Sequence, residues 1–62
     1  MILYKIKHKW HDFPEMSVYW IGANSYTEAL AAWRAASEFH KEVGEPSYCE
    51  RVADLIVAGV KP

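Results

Sequence analysis

A small α+β domain, built as an antiparallel sheet of two to three strands with one amphipathic helix packed on one face (ββαβ), is predicted by three features of this chain. Residues 2–10 alternate between two faces with a period of two. Residues 25–43 open on a capping signal and continue with a stripe of helical period. Hydrophobic residues make up 52% of only 62 positions, enough for one core and too short for two.

The first strand places Ile2, Tyr4, Ile6, His8 and Trp10 on one face and Leu3, Lys5, Lys7 and Lys9 on the other. Period two with β-branched and aromatic residues is the pattern of a half-buried strand. His11-Asp12-Phe13-Pro14-Glu15 breaks it: Pro14 removes an amide donor and Asp12 favours a turn, so this segment reads as a hairpin loop. A second strand runs from Met16 to Ala23, with Met16, Val18 and Trp20 on one side and Ser17, Tyr19 and Ile21 on the other. Both sides are apolar, although a core needs only one.

Ser25 followed by Glu28 forms a capping box, in which each side chain answers an unpaired amide at the helix start. Ala29, Trp33, Ala36, His40 and Val43 then recur at helical spacing, flanked by Leu30, Ala32 and Phe39, with Arg34, Glu38, Lys41 and Glu42 opposite. Gly44 and Pro46 end the run. One helix over about residues 26–43 is therefore expected. The C-terminal stretch carries two conflicting patterns. Ser47 with Glu50 imitates a second capping box, whereas Val52, Ile56, Val57 and Val60 are β-branched. A third strand over most of residues 51–60, with a short helical turn before it, completes the sheet that the helix covers.

Composition excludes several functional classes. The single cysteine, Cys49, leaves no intramolecular disulfide and argues against a disulfide-rich secreted domain. No apolar run reaches the roughly 18 residues of a membrane span, and Lys5 interrupts the N-terminal apolar segment early, against a secretory signal. The expectation is a cytoplasmic protein without membrane contact. Net charge is −1, but it is unevenly placed: Lys5, Lys7 and Lys9 stand without an acid in the first eleven residues, and the rest of the chain is acidic.

Among chemistry-bearing residues, His8, His11 and Asp12 are ordinary metal donors, yet strand positions three apart point to opposite faces and a closed site needs more ligands. His40 with Cys49 has the residue types of a base and nucleophile, but His40 falls within the apolar helix stripe and reads as a core-edge histidine. The chain is accordingly expected to be non-enzymatic, with no catalytic residue, no cofactor and no metal. Candidate partner-binding residues fall in three groups. Lys5, Lys7 and Lys9 form a basic stripe with Tyr19 on the neighbouring strand; Glu38, Glu42 and Glu45 form an acidic patch at the helix end; and Trp10, Phe13 and Tyr19 are the aromatics least needed by the core.

The strand Ile2-Leu3-Tyr4-Lys5-Ile6, a second strand, and Ala23-Asn24-Ser25-Tyr26-Thr27-Glu28-Ala29-Leu30 leading into an alanine-rich helix resemble small phage and mobile-element proteins, anti-CRISPR proteins among them. The likeness spans about residues 2–43, its motif is generic, and it carries over no functional residue. It implies a phage-encoded stoichiometric inhibitor acting in the host cytoplasm on a CRISPR surveillance complex or another nucleic-acid-targeting defence complex. Beside that protein-binding reading stand two others: a small nucleic-acid-binding domain using the lysine face, and a homodimer formed through the second apolar strand face.

Overall fold

The computed structural model describes residues 1–54. The chain folds as β1 (Ile2–His8), β2 (Ser17–Ala23), α1 (Tyr26–Ala35), α2 (Glu38–Val43) and β3 (Tyr48–Asp54). The strands form one antiparallel sheet in the order β2-β1-β3, so the lysine-bearing first strand is its centre. The α+β expectation holds, with the third strand present and the helix divided in two.

Register fixes the faces. Tyr4 pairs with Ile21 and Ile6 with Tyr19 across β1 and β2, and Ile6 with Cys49 across β1 and β3. Residues opposite one another share a face, so Tyr4, Ile6, Tyr19, Ile21 and Cys49 line the side that α1 covers. Ile6 and Trp33 are fully buried there, joined by Tyr4, Ala23, Ala29 and Leu30. α1 lies over β2 and β1, while β3 is exposed along nearly all of its length. A shift in pairing between Leu3 and Tyr4 leaves Val52 without a partner on β1, a bulge of the kind that blunts sheet edges.

The start of α1 follows the capping signal closely. Ser25 accepts the Glu28 amide through Oγ at 3.1 Å, and Glu28 Oε1 accepts the Asn24 amide at 3.0 Å. The expected continuous helix stops at Ala35, and Ser37, in extended backbone, caps α2 by accepting the Phe39 amide at 3.1 Å. Serine bonds its own backbone readily and so competes with a continuing helix. The Trp33 carbonyl, which a continuous helix would give to the Ser37 amide, instead accepts from the Ala36 amide at 3.1 Å and from His40 Nδ1 at 2.6 Å. His40 lies flat on Trp33, with ring centroids 4.0 Å apart and an interplanar angle of 5°. Past the break, Ala36, Phe39 and Val43 are exposed instead of continuing the buried stripe.

Gly44 closes α2 with φ +88, a left-handed conformation that favours glycine, and its amide donates to the His40 carbonyl at 2.9 Å. Arg34 Nε donates to the Gly44 carbonyl at 2.5 Å, tying the end of α2 to α1. The short helical turn expected before β3 is not formed. Tyr48–Glu50 is already strand, and Ser47 Oγ, the imagined cap, accepts the Lys9 amide at 3.0 Å and lies 3.3 Å from His8 Nδ1. Residues 55–60 of the expected third strand lie outside the described residues.

The packing predicts a sharp contrast between two substitutions. Trp33→Ala removes the largest fully buried side chain, a change of about 3–5 kcal/mol in a small domain with little stability to lose. It is expected to abolish the cooperative urea transition followed by circular dichroism. Ser25→Ala removes one cap and is expected to cost about 1 kcal/mol with the transition intact. A Trp33→Ala protein as stable as the Ser25→Ala protein would overturn this account of the core.

Candidate functional site

Two surfaces hold the side chains that folding leaves unused. The first is the sheet face opposite the helices. Three rows cross it: Gly22–Leu3–Ala53, Trp20–Lys5–Glu50 and Val18–Lys7–Tyr48. Trp20 is 56% exposed and Tyr48 55%, high for rings placed within a sheet. Lys5 Nζ sits 5.1 Å from the centroid of the Trp20 ring and Lys7 Nζ 5.3 Å from that of Tyr48. These are cation–π distances, with the lysine stems available to cover ring surface. The face therefore offers two exposed aromatic rings with Lys5 and Lys7 between them, Leu3 and Val18 in the rows either side of Trp20, and the Glu50 carboxylate.

The sequence-predicted binding residues separate in space. Lys5 and Lys7 lie on this open face, but Lys9 does not act with them. Its Nζ donates to the carbonyls of Trp10 and Phe13, and its amide is held by Ser47. Lys9 thus serves the loop. Tyr19, expected beside the lysines, pairs with Ile6 and lies on the covered face against His40. Its neighbour Trp20 and the unsuspected Tyr48 take the place assigned to it. Trp20 was readable from strand parity, since it alternates with Tyr19, whereas Tyr48 required the register of β3. Glu38, Glu42 and Glu45 are exposed on α2 and the turn after it, on the helix side of the sheet. Glu38 pairs with Lys41 at 3.2 Å. Folding does not bring the acidic group and the lysines onto one surface.

The second surface lies at the end of the sheet where the β1–β2 loop meets α2. Trp10 folds back toward the helices, its indole Nε1 donating to Ser17 Oγ at 3.0 Å. The ring packs edge-on against His8 at 4.3 Å and Phe39 at 6.5 Å and runs nearly parallel to His40 at 5.8 Å. Tyr19 meets His40 edge-on at 5.1 Å. Trp10, Tyr19, Phe39 and His40, with His11, Asp12 and Phe13 of the loop, border a cavity of about 440 Å³. Trp10 and Phe13 were marked as candidate binding residues from the sequence; Phe39 and His40 join them only because α2 folds back.

No cluster of three or more potential metal ligands occurs among the described residues, and none of the described helices is long and apolar enough to cross a membrane. His8 is engaged by Ser47 and Trp10, whereas His11 is exposed in the loop. His40 faces the Trp33 carbonyl and Cys49 sits on β3 opposite Ile6. Partial burial pushes the Cys49 thiol above its ordinary pKa, which disfavours the thiolate that nucleophilic chemistry requires. Alkylation of Cys49 by iodoacetamide is accordingly expected to have its pH–rate midpoint above that of the urea-unfolded chain. A lower midpoint in the folded protein would indicate an activated thiol and contradict this picture. Comparison with known proteins finds no matching family model, no significantly similar curated protein and no significantly similar solved structure.

Proposed function

We propose that this protein is a non-enzymatic protein-binding module that docks its partner on the open sheet face. The observation that carries the reading is the pairing of exposed Trp20 and Tyr48 with Leu3 and Val18 on the face that none of the described helices covers. Contiguous exposed apolar surface on a small protein marks interaction sites, and Trp and Tyr dominate binding energies at interfaces. Lys5 and Lys7 at the rings suit a partner that brings carboxylates to the rim of the contact. The finer proposal, a phage-encoded stoichiometric inhibitor of a CRISPR surveillance or other host defence complex, draws on the strand–strand–capped-helix resemblance and on size.

A second reading rests on the same rings. Aromatic platforms beside cations bind single-stranded nucleic acid. Magnitude favours protein: non-specific affinity scales with the number of phosphates neutralised, and this face supplies Lys5 and Lys7 with Glu50 directly opposite Lys5. Lys9 is committed to the loop. Two cations offset by a carboxylate give a shallow salt dependence and weak binding, whereas two central aromatics suffice for a protein hot spot.

The test is affinity capture from bacterial lysate, with and without nuclease, using the parent chain, a Trp20→Ala/Tyr48→Ala variant and a Glu38→Lys/Glu42→Lys/Glu45→Lys variant. The aromatic variant is expected to lose its partner by at least about tenfold, the effect of removing hot-spot residues, while its circular dichroism is unchanged. Loss with the acidic variant alone would place the interface on the helix side and sink the proposal. Capture abolished by nuclease would move the assignment to nucleic acid.

A further inference from the structure

We infer that the cavity between the β1–β2 loop and α2 is an aromatic cage for a quaternary ammonium group. Six rings border it: Trp10, His11, Phe13, Tyr19, Phe39 and His40. Their mutual angles decide what shape fits. Trp10 stands at 78° to Phe39, so these two rings meet nearly at right angles, whereas His40 has Trp33 on one face at 4.0 Å and Trp10 on the other at 5.8 Å. Trp10 and His40, the parallel pair, are 5.8 Å apart, a separation at which two rings pack on each other and leave no slot for a planar base. A corner between two such rings receives a compact group in preference to a planar one.

Charge selects among compact groups. Asp12 is the bordering carboxylate, neither lysine nor arginine borders the cavity, and the bordering nitrogen groups are the imidazoles of His11 and His40, the latter bonded through Nδ1 to the Trp33 carbonyl. Lys9, the nearest cation in sequence, turns its ammonium to the Trp10 and Phe13 carbonyls. Ring faces are the negative ends of their quadrupoles and attract cations directly. An anion would meet a carboxylate and the rings' negative faces. A methylated ammonium satisfies both features: its methyl groups pack against rings, and its charge, too diffuse for a single hydrogen bond, is met by ring faces and Asp12. Trp10 is held in place for this by Ser17, and His40 by the Trp33 carbonyl, so the cage is preorganised on its inner side. Phe13 and Phe39, 62% and 68% exposed, form its outer lip.

The chemistry has two natural sources, a free choline-like molecule and a trimethyl-lysine side chain of another protein. The experiment titrates the intact protein with choline, with its uncharged isostere 3,3-dimethylbutan-1-ol, and with a short peptide carrying trimethyl-lysine. Tryptophan fluorescence and the ¹H–¹⁵N signal of the Trp10 indole report binding. Choline is expected to shift the Trp10 signal saturably and to bind about fivefold or more tighter than the isostere, the difference a ring–cation contact makes. Tighter binding of the peptide than of choline assigns the site to a protein side chain; equal binding assigns it to the small molecule. Phe39→Ala and Asp12→Asn, both at exposed positions, are expected to weaken choline severalfold without changing the unfolding transition. An isostere that binds as well as choline, or a Trp10 signal unmoved by either cation, overturns the inference. The Trp20→Ala/Tyr48→Ala variant should retain choline binding, which separates this site from the open sheet face.

Discussion

The stacking of His40 on Trp33 is the contact on which the remaining structure depends. Trp33 is the largest fully buried side chain and stands at the centre of the core on β1 and β2. Its indole Nε1 has no hydrogen-bond partner among the described residues. Packing covers both sides of the ring. The sheet supplies one side. His40 supplies the other, and it reaches that position only because the helix breaks and α2 returns across the end of α1. The break also frees the Trp33 carbonyl that fixes the His40 ring. Helix break, ring stack and hydrogen bond are one cooperative unit, each requiring the other two.

That unit explains which parts of the fold were legible in the sequence. β1, β2 and α1 follow from local rules: period-two alternation, a proline-containing loop, and a serine with a glutamate three residues on. The division of the helix was hidden because Trp33 and His40, seven residues apart, lie on the same face of an unbroken helix as well. Periodicity therefore could not separate one helix from two. Ser37 was the available signal, but position 40 holds histidine where a capping box would have Glu or Gln, so the motif was incomplete. At the C-terminus the reverse occurred: Ser47 and Glu50 had capping-box spacing, yet Ser47 is consumed by Lys9 and His8, contacts 38 and 39 residues distant in sequence. Local spacing is outweighed where a long-range partner claims the same hydroxyl.

The candidate sites divide along the same line. The lysine face was visible as a parity pattern, and parity also places Trp20 with Val18 on the open side. What sequence could not supply was the order β2-β1-β3, which puts the lysine strand between two aromatic-bearing neighbours and brings Tyr48 beside Lys7. The cavity was less visible still. Trp10 and Phe13 stood out as aromatics without a place in the core, but Phe39 and His40 belong to α2, and only the helix break carries them to the loop.

The nine aromatic residues of the chain divide between the core and the surfaces proposed for binding. Tyr4, Tyr19 and Trp33 pack the covered side, with Trp10 closing its end; Trp20 and Tyr48 stand on the open face, where they touch lysine stems and no part of the core. A small domain has little free energy to give up, so a binding surface that shared residues with the core would risk unfolding whenever the surface changed. Trp20 and Tyr48, the residues proposed for recognition, stand on the far side of the central strand and avoid that conflict. Lys5 and Lys7 lie at these rings, Nζ 5.1 and 5.3 Å from their centroids, where lysine stems can cover ring surface. Substituting Trp20 or Tyr48 therefore leaves the core contacts in place, whereas substituting His40 removes the ring stacked on Trp33.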